Sequence, residues 1–265
     1  MTSQLPSTPI ARLTGHKGPI HALTYSAGTG QYLLSGSSDR TINLYNPSKA
    51  PSLSSEDSSV KSTTPSPALV QSYTGAHAHE ILTLAVASDN SRFVSGGGDK
   101  TVFLWDVATA KTLRRYGGGA GGHGGRIECV AFGGEGDSVV VSGSFDSSVR
   151  LWDTKSRDGR PLMVLSEARD SVSCLVVGEA EVVAGSVDGR VRGYDLRMGV
   201  ISVDVIGSTS SCLLFVTLCC TGGQVRLRKF QQVCRQELST LWELENQADV
   251  VSSRAGHLTD GNFTF

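Results

Sequence analysis

The sequence predicts an all-β fold, a propeller of four-stranded blades, on three observations. One twelve-residue pattern returns four times, at residues 35–46 (SGSSDRTINLYN), 95–106 (SGGGDKTVFLWD), 142–153 (SGSFDSSVRLWD) and 184–195 (AGSVDGRVRGYD). The copies begin 60, 47 and 42 residues apart, the spacing of propeller blades once insertions are allowed for. With 31 glycines against 8 prolines in 265 residues, the composition suits many short strands joined by tight turns better than long helices.

The first unit shows how each element is read. From Ile20 the residues alternate with the period of a strand that has two unlike faces. Residues 26–30 are a turn cluster, 32–36 a second strand, 37–40 a tight polar turn, and 41–45 a third strand of β-branched and aromatic residues. Outer strands are expected at 10–13, 69–73, 112–116, 161–165 and 201–205. Residues 10–205 thus hold four units of four strands plus one leading strand, preceded by a flexible terminus over 1–9. Residues 206–230 are expected to be a degenerate, partial fifth blade, because the repeat's Asp and aromatic positions fall there on Gly222 and Arg228. Residues 231–265 carry no repeat and are expected to form a tail with a short helix near 237–247.

Composition narrows the function. A net charge of −1 gives no global bias toward nucleic acid or acidic lipid, so proteins are the expected partners, with no direct nucleic acid, membrane or small-molecule substrate. No signal peptide is expected from residues 1–12, and the longest apolar stretch, 212–220, is far short of a membrane helix. Six cysteines at irregular spacing read as reduced, buried thiols of an intracellular protein, placed here in the cytoplasm with a share in the nucleus. His77 and His79 have no carboxylate or Cys nearby in sequence to complete a metal site, so no metal or cofactor is expected.

Residues 47–68 (PSKAPSLSSEDSSVKSTTPSPA) are rich in Ser, Thr and Pro and nearly free of apolar side chains, so they read as a disordered loop between the first two blades. Thr64, Ser66 and, near the start, Thr8 each precede a proline and are minimal proline-directed phosphorylation sites, though composition alone also supplies such pairs. The glycine run 117–125 lacks the Lys-Ser or Lys-Thr of a phosphate loop and leads into a strand, so it reads as a flexible linker.

Aligning the first strands at Ile20, Ile81, Ile127 and Val172 brings His16, His77 and His123 into register just ahead of them. With the recurring Ser-Gly, turn Asp and terminal aromatic, the chain resembles the WD-repeat family of β-propellers. That resemblance implies one hydrogen-bonded network per blade: His16, Ser35 and Asp39 with Tyr45; His77, Ser95 and Asp99 with Trp105; His123, Ser142 and Asp146 with Trp152. The fourth unit offers Ala168, Ala184, Asp188 and Tyr194 instead and is expected to be the softest. Reading any of the three sets as a hydrolase triad fails on repetition, since a catalytic set occurs once, at one strained site; no catalytic residue is assigned.

The stretches GSSDRTINLYNPSKA, GGGDKTVFLWDVATAKTLRRY and GSVDGRVRGYDLRMG, the last followed by VDVIG, resemble the WD-repeat mitogen-activated protein kinase organiser family. The resemblance implies a seven-bladed ring, of which this chain would supply four clear blades and a degenerate fifth. It implies a non-enzymatic scaffold for a kinase cascade; the family's association with the spliceosome keeps a splicing subunit as the alternative. Partners are expected on the loop face, at positions before the first strands (Pro19, Glu80, Arg126, Ser171) and before the turn Asp (Ser38, Gly98, Phe145, Val187). Phe145 and Arg126 are the first anchors, followed by Glu80, Lys17 and Lys100, because interfaces draw energy from a few aromatic and charged side chains.

Overall fold

The computed structural model describes residues 11–50, 66–119, 121–178, 180–197 and 200–205. All lie in one compact unit, residues 1–222; a second unit, 223–265, falls wholly outside the described residues. The expected terminus 1–9, partial blade 206–230 and tail 231–265 also lie outside them.

Among the described residues, four antiparallel meanders of four strands each are formed. They are β1 (Ile20–Tyr25), β2 (Leu33–Ser37), β3 (Ile42–Tyr45) and β4 (Leu69–Tyr73); β5 (Ile81–Val86), β6 (Arg92–Gly97), β7 (Thr101–Asp106) and β8 (Thr112–Gly117); β9 (Ile127–Gly133), β10 (Val139–Ser144), β11 (Val149–Asp153) and β12 (Met163–Leu165); β13 (Val172–Val177), β14 (Glu181–Ser186), β15 (Arg190–Asp195) and β16 (Val200–Val205). Two expectations are corrected at the edges. No leading strand forms among the described part of 10–13, where Ala11 makes an isolated bridge only, and β12 begins at Met163 because Pro161 cannot donate to the ladder.

The repeated motif owes its residue types to the contacts between and within sheets. Each first strand carries a one-residue bulge, at His21, Leu82, Glu128 and Ser173. In three sheets the apolar residue before the bulge then sits on the glycine of the preceding sheet's second strand. A methyl group on Gly36 would lie 2.7 Å from Ile81, one on Gly96 2.6 Å from Ile127, and one on Gly143 2.7 Å from Val172. The Ser-Gly step is therefore a socket for the next sheet, and only a residue without Cβ fits it.

The hydrophobic core lies between successive sheets. Leu34, Ile42 and Tyr73 of the first sheet meet Ile81, Phe93 and Trp105 of the second; Val94, Val102 and Tyr116 meet Ile127, Val140 and Trp152; Val141 and Leu151 meet Val172, Val182 and Tyr194. The outer-strand Tyr73 lies edge-on to Trp105 at 5.9 Å and Tyr116 is tilted on Trp152 at 5.7 Å, so the aromatic of one sheet anchors the outer strand of the sheet before it. Cys129 and Cys174 are buried, and the Cys129 thiol donates to the Val172 carbonyl at 3.6 Å.

The terminal Asp or Asn of each motif caps the turn that follows. Asn46 accepts from the Ser48 amide, Asp106 from the Thr109 amide and hydroxyl, Asp153 from Lys155 and Asp195 from Arg197, at 2.7 to 3.1 Å. On the same edge of the sheets, each of two turns grips the one before. Asn90 accepts from the Ala27 amide at 2.7 Å and donates to its carbonyl at 3.2 Å, and Asp137 accepts from the Ser88 amide and hydroxyl, both at 2.6 Å.

Candidate protein-interaction face

Beneath the opposite edge lie the networks. In the second sheet His77 Nδ1 is 2.6 Å from Asp99 Oδ2, His77 Nε2 is 2.7 Å from Ser95 Oγ, and the Trp105 indole N–H donates to the same Oγ at 2.8 Å. The third sheet repeats this with His123, Asp146, Ser142 and Trp152 at 3.0, 2.8 and 2.8 Å. A carboxylate only accepts, so Nδ1 donates to Asp, while the serine oxygen accepts the indole N–H and is joined to Nε2 by the remaining bond. The His, Ser, Asp and indole groups of each set thus all have partners.

In the first sheet His16 spans Asp39 and Ser35 at 3.1 and 2.7 Å. Tyr45 replaces Trp, and its hydroxyl accepts from Asn43 at 3.1 Å and donates to the Thr14 carbonyl at 3.4 Å. Thr41 and Ser148, which sequence reasoning missed, add a hydroxyl donor to the turn Asp at 2.6 Å in the first and third sheets. Backbone amides complete the cradle: Lys17 N–H reaches Asp39 at 2.8 Å, and Gly124 N–H reaches Asp146 at 2.7 Å. The glycine run is accordingly no loose linker at its far end, where a methyl group on Gly125 would lie 2.7 Å from the Asp146 amide.

These bonds set the charge state of the carboxylates. Burial works against ionising Asp39, but the Thr41 hydroxyl, the Lys17 and Thr41 amides and His16 outweigh it and hold the pKa at about 2. At Asp146 burial is likewise overcome, by His123, Ser148 and the Gly124 amide, and at Asp99 by His77; both are lowered.

The fourth sheet, without His or Ser at these positions, is not left with a bare carboxylate. Arg192, 2% exposed, forms a two-bonded pair with Asp188, and the Arg169 and Arg190 amides add bonds at 3.1 and 3.0 Å. Burial opposes the charge here too, and Arg192 and the Arg169 amide bring Asp188 to about 2. Ala184 is buried, Ala168 packs against the core, and burial followed by the Glu167 charge pushes the Tyr194 hydroxyl up. Arg192 stands four residues after the turn Asp, in register with Asn43, Phe103 and Arg150, so the repeat alignment alone did not mark it.

The geometry of His, Ser and Asp is that of a hydrolase relay, but Ser35, Ser95 and Ser142 are at most 1% exposed and lie under the turns. No substrate atom can reach an Oγ that is already enclosed by imidazole and, in two sheets, by indole. The relays hold the turns in place.

Above them lies the loop face. Phe145 is 55% exposed and is braced by Arg126, whose guanidinium carbon is 5.1 Å from the ring centre and whose Nε pairs with Glu128 at 2.5 Å. Arg126 and Phe145 are thus brought together. Lys17 and Lys100 are exposed on the first two sheets, and Glu80 is half-buried with its carbonyl held by the Gly98 amide. Pro19 is exposed, Ser171 is buried, and Val187, 48% exposed, stands on the fourth sheet as Phe145 does on the third. Among the phosphorylation candidates, Thr8 and Thr64 lie outside the described residues. Ser66, expected in a solvated loop, is instead 7% exposed, its amide bonded to the Thr14 carbonyl and its Oγ accepting from Ala68; as folded it is closed to a kinase. No three His, Cys, Asp or Glu gather in a metal-holding arrangement among the described residues.

Repeated sheets with socketed glycines, a network beneath each turn and exposed loops above fit a β-propeller. The chain carries WD repeats: residues 7–46, 68–106 and 113–153 match the family described as WD domain, G-beta repeat. Over 217 residues it is 28% identical to the WD repeat domain-containing protein 83 homolog of Dictyostelium discoideum, covering 71% of this chain and 59% of that relative. A stretch of 61 residues is 51% identical to WD repeat domain-containing protein 83 of Rattus norvegicus, covering 23% of this chain and 19% of the relative. The U5 small nuclear ribonucleoprotein 40 kDa protein of Dictyostelium discoideum is 26% identical over 189 residues, 71% of this chain and 47% of the relative. The chain therefore spans between about a fifth and three fifths of the length of these relatives.

Proposed function

We propose that this chain is a non-catalytic scaffold that organises a mitogen-activated protein kinase signalling complex by docking proteins on its loop face. The observation that carries the scaffold reading is the pairing of enclosed, structural His-Ser-Asp relays with an exposed aromatic, Phe145, held upright by Arg126 above them. The kinase assignment is supported by the resemblance of the repeat stretches to the kinase-organiser family and by the likeness to the proteins named WD repeat domain-containing protein 83. On this reading the four sheets are part of a seven-bladed ring, and the protein acts in the cytoplasm with a share in the nucleus.

The second reading is a WD-repeat subunit of the spliceosome, favoured by the likeness to a U5 small nuclear ribonucleoprotein component. With a net charge of −1, the chain would bind protein neighbours there and leave RNA to them. Affinity purification of the full chain from growing cells, read by mass spectrometry, separates the two. Kinases of the cascade support the first; spliceosomal proteins without kinases support the second and remove the first.

A further inference from the structure

The turn between the second and third strand of each sheet presents its residues to the loop face on either side of the network Asp. Ahead of that Asp stand Ser38 and Gly98 on the first two sheets, but Phe145 and Val187, both about half exposed, on the third and fourth. After it the pattern reverses. The first two sheets carry Arg40 and Lys100, the last two Ser147 and Gly189.

The position after the Asp is left-handed in all four turns, with φ of 68°, 62°, 63° and 76°. Glycine occupies that region freely, whereas an L side chain is disfavoured there by its Cβ. Nothing in the turn calls for a long cation at Arg40 or Lys100, and among the described residues neither side chain makes a hydrogen bond or ion pair. Two strained positions on adjacent sheets therefore hold solvated positive charge toward the same face, beside Lys17. Strain kept at an exposed site points to use.

From this split we infer that the loop face recognises a protein segment in which a run of carboxylates adjoins a large apolar side chain. The carboxylates lie over Arg40, Lys100 and Lys17, and the apolar group lies against Phe145 and Val187. The inference rests on the interaction-scaffold reading and names the chemistry of the partner. Charge complementarity selects the acidic end and steers its approach, while the half-exposed aromatic supplies the buried anchor.

The test uses the full chain and fluorescent synthetic peptides, each a run of glutamates joined through Gly-Ser spacers of graded length to Leu-Phe. Binding is followed by anisotropy at low and high salt. At the best spacer the glutamate peptide is expected to bind at least about tenfold tighter than its lysine counterpart, with an advantage that shrinks in salt. Arg40→Gly with Lys100→Gly should weaken it about tenfold without lowering the melting temperature, because glycine relieves the backbone while removing the charge. Ser147→Gly, which relieves the same strain but removes no charge, should bind as the parent does, and Phe145→Ala should lose affinity at both salt concentrations. Equal binding of the lysine peptide, or unchanged binding by the double glycine variant, overturns the inference. Should kinases or spliceosomal proteins co-purify while no glutamate peptide binds, the scaffold reading stands and this inference falls; should the peptide bind while no protein co-purifies, the reverse holds.

Discussion

Arg192 lays its guanidinium along the carboxylate of Asp188, Nη1 3.2 Å from Oδ1 and Nη2 2.6 Å from Oδ2, both side chains being at most 10% exposed. The pair does in the fourth sheet what His and Ser do in the first three, fixing the turn through its Asp, but by opposite charge in place of a relay of hydrogen bonds. The fourth carboxylate thus meets one side chain, where Asp39 meets His16 and Thr41, and Asp146 meets His123 and Ser148.

Removing that side chain should be costly. Arg192→Met leaves a buried carboxylate with backbone donors only, and the loss is expected at about 3 kcal/mol, the range found when one partner of a buried pair is deleted. Urea unfolding of the variant measures it. Adding Asp188→Asn to Arg192→Met should recover part of the loss, since the uncompensated charge is then gone.

The serine at the centre of each relay should matter in proportion to the bonds it closes. Ser142→Ala strands both the Trp152 N–H and His123 Nε2, each buried, and is expected to cost about 2 kcal/mol or more. Ser35→Ala should cost less, because Tyr45 directs its hydroxyl to Asn43 and the Thr14 carbonyl. Paired denaturation curves give the difference.

Acid should attack the turns before the core. Asp39 and Asp188 have folded pKa values of about 2 against an ordinary 3.8, so near pH 3 the unfolded chain binds more protons than the native one. Their stabilisation is complete above about pH 4 and is lost as pH falls through the folded values near 2. The urea midpoint should drop across that window, and Asp39→Asn should flatten the drop while lowering stability at neutral pH.

The glycine sockets predict a coupled pair. Gly96→Ala drives a methyl to 2.6 Å from Ile127 and should cost about 1–3 kcal/mol by overpacking. Combined with Ile127→Val, the cost should be smaller than the two single costs summed, which a double-mutant cycle in urea resolves.

The strands were legible because each rests on residues that recur at fixed offsets, so four copies read together cancel the ambiguity of one; the relays came from the resemblance to the WD-repeat family. His16, His77 and His123 emerged from register alone. Arg192 did not, because its role arises from the absence of His and Ser around Asp188, and a position that is Asn, Phe or Arg in the other copies carries no pattern. Ser66 misled for a related reason: its neighbours have the composition of a disordered loop, while its burial comes from the distant Thr14 carbonyl. The grip of Asn90 on Ala27 and of Asp137 on Ser88 was equally hidden, since contacts between sheets follow the stacking and not the repeat.

The proposed scaffold works through a protein-docking face and not through its His-Ser-Asp sets. The most direct measurement is quantitative affinity purification of the full chain beside Phe145→Ala with Arg126→Ala, and beside Ser142→Ala as a variant of a relay. The face variant is expected to keep its melting temperature and lose cascade kinases, while Ser142→Ala, at a temperature where it is folded, is expected to retain them. Kinase capture undiminished by the face variant, or a chain that captures no protein in any form, would contradict a docking role for this face.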